Sequence, residues 1–212
     1  MMRIFYLPLI AILTLASLVA YGNSSAVSNG FTISDRFFDF DKITPKGKCK
    51  GTVEYPDLYG GEADVTDQIN LTIKNFAESF DFCSIDKMKI ITYKVWEGAP
   101  DHFSVKWIIR NSKQKTLMID SLNFAKVDGK LLLIEDILNP LAKNFMTEFV
   151  KLSENHLAAD TTWEQFLTKL EQRSIQFYIW NKKWYIVFNP HKGINKLVVE
   201  KELPTYLLKS QS

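Results

Sequence analysis

Ile175-Gln176-Phe177-Tyr178-Ile179-Trp180-Asn181-Lys182-Lys183-Trp184-Tyr185-Ile186-Val187-Phe188 reads as two strands facing each other across a polar turn. β-Branched and aromatic residues fill both runs, and Asn181-Lys182-Lys183 is the expected hairpin connection. Trp180 and Trp184 flank that turn, so the stretch that sets the strand pairing also carries two of the chain's five tryptophans.

Upstream, Thr162 and Gln165 form a capping-box pair that opens a helix over residues 162–173, buried through Trp163, Phe166, Leu167 and Leu170. A second amphipathic helix is predicted over residues 140–157, with Leu141, Phe145, Phe149 and Leu152 on one side. Asp128-Gly129 between apolar runs predicts a hairpin from a strand at 116–127 into Leu131-Leu132-Leu133-Ile134, ended by Glu135-Asp136. Residues 87–97 and 103–111 read as a strand pair joined by Glu97-Gly98-Ala99-Pro100-Asp101. In the second strand Phe103, Val105, Trp107 and Ile109 alternate with polar partners up to Lys106.

Residues 64–82 form the best helix, because Val65, Ile69, Ile73, Phe76 and Phe80 recur at spacings that make one stripe. Asp64 is its expected N-cap. Before it, residues 46–55 alternate as a strand that Pro56 should stop, and residues 31–41 suggest an irregular first strand. Downstream come a short strand at 196–200 and a helical turn at 204–208. Strands arrive in hairpins and helices arrive singly, which predicts an α+β fold: a largely antiparallel sheet of hairpins with about three interspersed helices.

The chain has 212 residues. A single charge at Arg3, an apolar run over residues 4–20 and small residues at Ala20, Gly22 and Ala26 follow the order of a secretory signal. The run falls slightly short of a bilayer span and contains Pro8, which favours cleavage over anchoring. Residues 1–22 are therefore expected to be a signal peptide and 23–30 a small, polar leader. Residues 31–212 form one domain working outside the cytoplasm, periplasmic or extracellular, without stable membrane insertion. Losing Arg3 leaves 25 basic against 24 acidic residues, a balance that gives no electrostatic reason to expect nucleic acid as partner.

Cys49 and Cys83 are the only cysteines. An even count in an oxidising compartment favours a Cys49–Cys83 disulfide, against two free thiols or an intermolecular bridge. Two cysteines without clustered histidines make no zinc site. His102, His156 and His191 are far apart and read as surface residues. No Gly-x-Ser-x-Gly, phosphate loop or His-Glu-x-x-His occurs, so no catalytic, metal or cofactor-binding residue is assigned and no cofactor is expected. Paired carboxylates (Asp39 with Asp41, Asp64 with Asp67, Glu135 with Asp136) could serve glycan hydrolysis, but they suit caps and solvated faces better. Asp136 reads as the cap of the following turn. Aromatic rings stack on sugars and anchor protein interfaces, which makes Trp180 and Trp184 the candidate ligand-binding pair. If they alternate across the strand pair, one faces the core and one faces out.

The order of these features resembles a known domain. Val53-Glu54-Tyr55-Pro56 leads to Gln68-Ile69-Asn70, Tyr93-Lys94-Val95 and Phe103-Ser104-Val105-Lys106. Leu122-Asn123-Phe124, Asp128-Gly129-Lys130-Leu131-Leu132-Leu133 and Glu135-Asp136-Ile137-Leu138 follow. Phe177-Tyr178-Ile179, Trp184-Tyr185-Ile186-Val187-Phe188-Asn189-Pro190 and Leu197-Val198-Val199 close the series. It is similar to the extracytoplasmic domain of unknown function shared by the lysozyme-receptor anti-sigma factor RsiV and PdaC-type peptidoglycan deacetylases, over roughly residues 46–208. The resemblance implies an α+β module of the bacterial cell envelope that is not itself an enzyme and that meets a cell-wall glycan or a lysozyme-like protein. With no segment ahead of the apolar run, sigma-factor regulation is not expected. A carboxylate-dependent periplasmic glycan hydrolase and a structural envelope assembly factor are the alternatives.

Overall fold

The computed structural model describes residues 27–28, 31–44, 47–79, 89–99, 101–111, 113–190 and 197–209. β1 (Val27–Ser28), β2 (Phe31–Thr44) and β3 (Gly47–Tyr59) form one sheet, followed by α1 (Ala63–Ser79). β4 (Lys89–Ala99), β5 (His102–Asn111) and β6 (Thr116–Ala125) form a second. Helices α2 (Ile134–Ile137), α3 (Phe145–Leu152) and α4 (Trp163–Glu171) precede a third sheet of β7 (Ile175–Trp180), β8 (Lys183–Phe188) and β9 (Val199–Glu202). A short 3-10 turn at Thr205–Leu207 follows. Every strand pairing is antiparallel, and the fold is α+β.

Alternation places two cores. Phe103, Val105, Trp107 and Ile109 of β5 join Leu122 and Phe124 of β6 against Ile69, Ile73 and Ala77 of α1 and Val53 and Leu58 of β3. Ile175, Phe177 and Ile179 of β7 join Trp184, Ile186 and Phe188 of β8 against Phe145, Phe149 and Phe166 from the helices. Between the two sheets lies a smaller cluster of Ile119, Tyr178 and Val187, with Trp96, Tyr185 and Val198 at its margin. Two sheets thus pack face to face, each capped on its far side by helix.

Several sequence expectations are corrected. β2 is a regular strand through Thr44, and Val27–Ser28, assigned to the leader, pair with Phe31 and Thr32. Pro56 does not stop β3, since β3 is an edge strand and a missing N–H on its outer side breaks no ladder bond. Within this ribbon Gly51 lies opposite Phe40, whose ring covers it; a Cβ there would come within 2.4 Å of the ring. Asp64 is in the first turn of α1 rather than at the cap, because Thr66 N already donates to Glu62 O at 2.9 Å. β4 runs through Ala99 with a bulge after Glu97, so the 97–101 loop is shorter than predicted.

Residues 131–134 do not make the predicted strand. Leu131 forms a single bridge to Phe124. The Asp136 carboxylate then accepts from Leu133 N at 2.8 Å and turns the chain into α2, so Asp136 caps from inside the helix and Glu135 lies in it too. The predicted 140–157 helix shrinks to α3 because left-handed Asn144 precedes it and left-handed Glu154 and Asn155 follow, leaving Leu141 93% exposed. The Thr162–Gln165 capping box is formed. The last hairpin turns on two residues, Asn181 and Lys182, both left-handed as a primed turn requires, and Lys183 belongs to β8.

Candidate functional site

Pairing Ile179 with Trp184 and Trp180 with Lys183 puts the two candidate tryptophans on opposite faces of the hairpin. Trp184 is 4% exposed in the helix-side core, beside Phe177 at 5.9 Å. Trp180, on the sheet-to-sheet side, is 43% exposed. The structure does not bring the pair together as one surface. Instead it joins Trp180 to Trp96 of β4, with ring centroids 5.3 Å apart, and to Tyr185 of β8 at 5.7 Å. Tyr185 in turn stacks on buried Tyr178 at 5.2 Å and 10°. Four rings from three strands therefore run from the interior to solvent.

Cations flank this row. Lys94 Nζ stands 5.3 Å from the Trp96 ring centroid, on an exposed side chain with no ion pair among the described residues. Lys106 Nζ lies 4.0 Å from the Tyr178 centroid and pairs with Glu200. Burial pulls Lys106 below its ordinary pKa, and its bond to Glu200 opposes that pull. Burial, followed by the nearby Glu200 charge, pushes the Tyr178 phenol upward. Lys183 pairs with Glu202 at 3.0 Å on the same hairpin edge. The assembly offers an exposed ring face, stiffened by a second ring behind it, with two paired lysines and the unpaired Lys94 around it. Trp96 Nε1 is buried with no hydrogen-bond partner.

Trp96, Tyr178 and Tyr185 were not singled out from the sequence. Their signal was available: residues of matching parity on facing strands share a surface, and Tyr178 and Trp180 share parity. What placed Trp96 beside them is the stacking of two sheets, which strand periodicity does not encode.

The other candidates fall elsewhere. Cys49 lies on β3, and Cys83 is outside the described residues, as are residues 1–26, the end of the predicted first helix at 80–82, and His191. His156 is not a surface residue: it is 7% exposed, with Nδ1 2.7 Å from Ser153 O and Nε2 3.1 Å from Leu197 O. Its chain neighbours look like loop, but both ring nitrogens face backbone carbonyls, which draws the ring inward. His102 is half-buried near Trp184, at 6.3 Å. Asp39 accepts from Thr52 and Asp41 pairs with Lys48 at 3.3 Å, both on the β2–β3 ribbon. Asp136 is held below its usual range, chiefly by the Leu133 N–H. Asn70 clamps both backbone groups of Leu58 at 2.8 Å. Among the described residues no group of three or more His, Cys, Asp or Glu could hold a metal ion. No protein-family model and no curated protein matches the chain.

Proposed function

We propose that this chain is an exported, non-catalytic binding module of the bacterial cell envelope that takes a wall glycan on the ring face of Trp180. The observation that supports the reading is Trp180 itself. A large ring is held out to solvent by Trp96 and Tyr185, on a hairpin whose other tryptophan is committed to the core. A rigid, half-exposed ring loses little conformational entropy when a sugar face stacks on it, and anchors of this kind carry a large share of binding energy. The resemblance to RsiV offers a lysozyme-like protein as the competing ligand on the same surface. The order of charge, apolar run and small residues at the N-terminus supports export. A mature N-terminus just after Ala20, Gly22 or Ala26, read by mass spectrometry, is the expected result, and a chain that keeps Met1 and stays in the cytoplasm would sink that part.

Binding of the full chain to soluble peptidoglycan fragments, and separately to lysozyme, tests the site. Trp180→Ala should weaken the fragment complex by about 2 kcal/mol, roughly thirtyfold. Equal affinity of variant and wild type overturns the assignment, and loss of lysozyme binding alone moves the ligand to that protein. Hydrolysis of the fragments, abolished by Asp136→Asn, would replace the binding reading with an enzymatic one.

A further inference from the structure

A second site lies away from the tryptophans, where the chain declines to continue a sheet. β6 is an edge strand, and the run after its turn would have made a fourth strand beside it. It gives one bridge, Phe124 to Leu131, made by Leu132 N to Asn123 O at 2.8 Å and Ala125 N to Lys130 O at 2.9 Å, before α2 begins. The space such a strand would have filled remains as a cavity of about 330 Å³. Leu167 and Leu170 of α4 wall it on one side, Ile175 and Phe177 of β7 on another, and Leu132 and Ile134 on a third. Leu131 and Leu133 are exposed at its rim.

The floor is polar and its hydrogen bonding is incomplete. Gln176 is 9% exposed and lines the cavity. Its Oε1 accepts from Ser121 N at 3.3 Å, which fixes the orientation of the amide. Its Nε2 then has no hydrogen-bond partner among the described residues. Neighbouring Asn123 and Ser121 both donate to Phe177 O, which uses the Ser121 hydroxyl proton and one of the two Asn123 amide protons. Amide N–H donors at the base of apolar walls call for an acceptor on an apolar body. Among the described residues the charged ones on the lining are Glu135 and Glu171, both exposed, and they oppose an anion.

We infer that this cavity binds a neutral, largely apolar molecule carrying one hydrogen-bond acceptor, of the acyl-ester or acyl-amide class, with its carbonyl on Gln176 Nε2. At about 30 Å³ per water-sized group the space holds roughly eleven non-hydrogen atoms, a short acyl chain with its ester.

Displacement of the fluorescent apolar probe N-phenyl-1-naphthylamine from the full chain reads this directly. Methyl octanoate should displace the probe saturably, and octanoate at pH 7 should do so at least tenfold less well. Leu167→Trp fills the space and should abolish the saturable component, while any probe held by the apolar N-terminal run stays equal in both chains. Gln176→Leu should weaken methyl octanoate at least threefold and leave butylbenzene, which has no carbonyl, unchanged. That comparison decides alone should Leu167→Trp fail to fold by circular dichroism. No saturable displacement, equal displacement by ester and carboxylate, or equal losses for ester and hydrocarbon in Gln176→Leu would each overturn the inference.

Discussion

The sheet β4–β5–β6 is covered on both faces, and the two faces are held by different chemistry. Toward α1 and β3 it presents Phe103, Val105, Trp107, Ile109, Leu122 and Phe124, a face joined by area. Toward β7 and β8 it presents Ser104, Lys106, Ser121 and Asn123, all at least nine-tenths buried, and this face is joined by directed bonds. Ser104 Oγ donates to Asn123 Oδ1 and accepts from Ile179 N at 2.8 Å. Asn123 and Ser121 both reach Phe177 O. Asn189 lies along the edge of β6 as a strand would, accepting from Ile119 N at 2.9 Å and donating to Ile119 O at 2.7 Å. An apolar face tolerates small shifts because its attraction has no direction. A hydrogen-bonded face fixes one register and is costly to break, since each lost partner strands another buried group. The bonded face ends, at its open edge, in the aromatic row, so the register of the two sheets is also what positions Trp180 behind Trp96.

The contrast predicts the largest loss on the apolar face. Trp107 is fully buried, packs on Phe76 at 4.9 Å and donates to Glu54 O at 3.2 Å. Trp107→Ala should destabilise the chain by about 3–5 kcal/mol in urea denaturation, chiefly through the cavity left behind. A loss under about 1 kcal/mol would mean that α1 and β3 collapse onto the gap and that this face is not close-packed.

On the bonded face a smaller side chain should matter nearly as much. Asn189→Ala removes little volume but strands Ile119 N–H and C=O as well as Arg173 O, to which Nδ2 also donates at 2.9 Å. The expected cost is about 2–3 kcal/mol. Asn189→Asp, which keeps an acceptor for Ile119 N and loses the amide donors, should fall between wild type and alanine if directed bonding is the cause. Ranking alanine and aspartate equally would assign the effect to packing instead.

These two faces also mark what could be read from the sequence. The strands, their antiparallel pairing, the α1 stripe and the Thr162 cap were legible because each is a local pattern with one physical cause. The bonded face was not. Ser104, Lys106, Ser121 and Asn123 alternate with apolar residues just as solvent-facing residues do, and only a second sheet above them turns that pattern into a buried one. The 131–134 run was misread for a related reason: Asp-Gly before four apolar residues favours a hairpin, but the Asp136 carboxylate holding Leu133 N–H draws the chain into a helix first. Trp180 and Trp184 were visible as residues, and their division between surface and core followed from strand parity. Trp96 as the partner of Trp180 did not.

Asp120 tests the apolar face from within. It shares that face with Trp107, is fully buried, and has Arg173 Nη1 at 3.5 Å while its Oδ2 lacks a hydrogen bond. Burial raises its pKa to about 7, with the Arg173 charge and the Ser121 N–H opposing the rise. Between the unfolded value of about 4 and that folded value the native state binds more proton than the unfolded chain, so stability falls as pH rises through this window. Asp120→Asn should abolish that fall. It should match wild type near pH 4 and exceed it by about 4 kcal/mol at pH 8, in denaturant melts at both values. A variant that keeps the wild-type slope would place the titrating group elsewhere.

The smallest effect is expected where the bonded face opens to solvent. Trp180→Ala removes contacts with Trp96 and Tyr185, but the indole is already close to half exposed and leaves no closed cavity. Its stability cost should be about 1 kcal/mol, in the range of an aromatic pair contact. Trp184→Ala, one register pair away on the opposite face, should cost about 3–5 kcal/mol. The two tryptophans of one hairpin would then separate cleanly: one whose removal is felt mainly in folding and one whose removal is felt mainly in ligand binding. Equal stability losses would mean that the aromatic row is a structural extension of the sheet-to-sheet contact, and that Trp180 is exposed only because the row ends there. A near-neutral Trp180→Ala, combined with intact folding and weakened glycan binding, ties the exposed ring to recognition, because the bonded face beneath it would have kept its register without that ring.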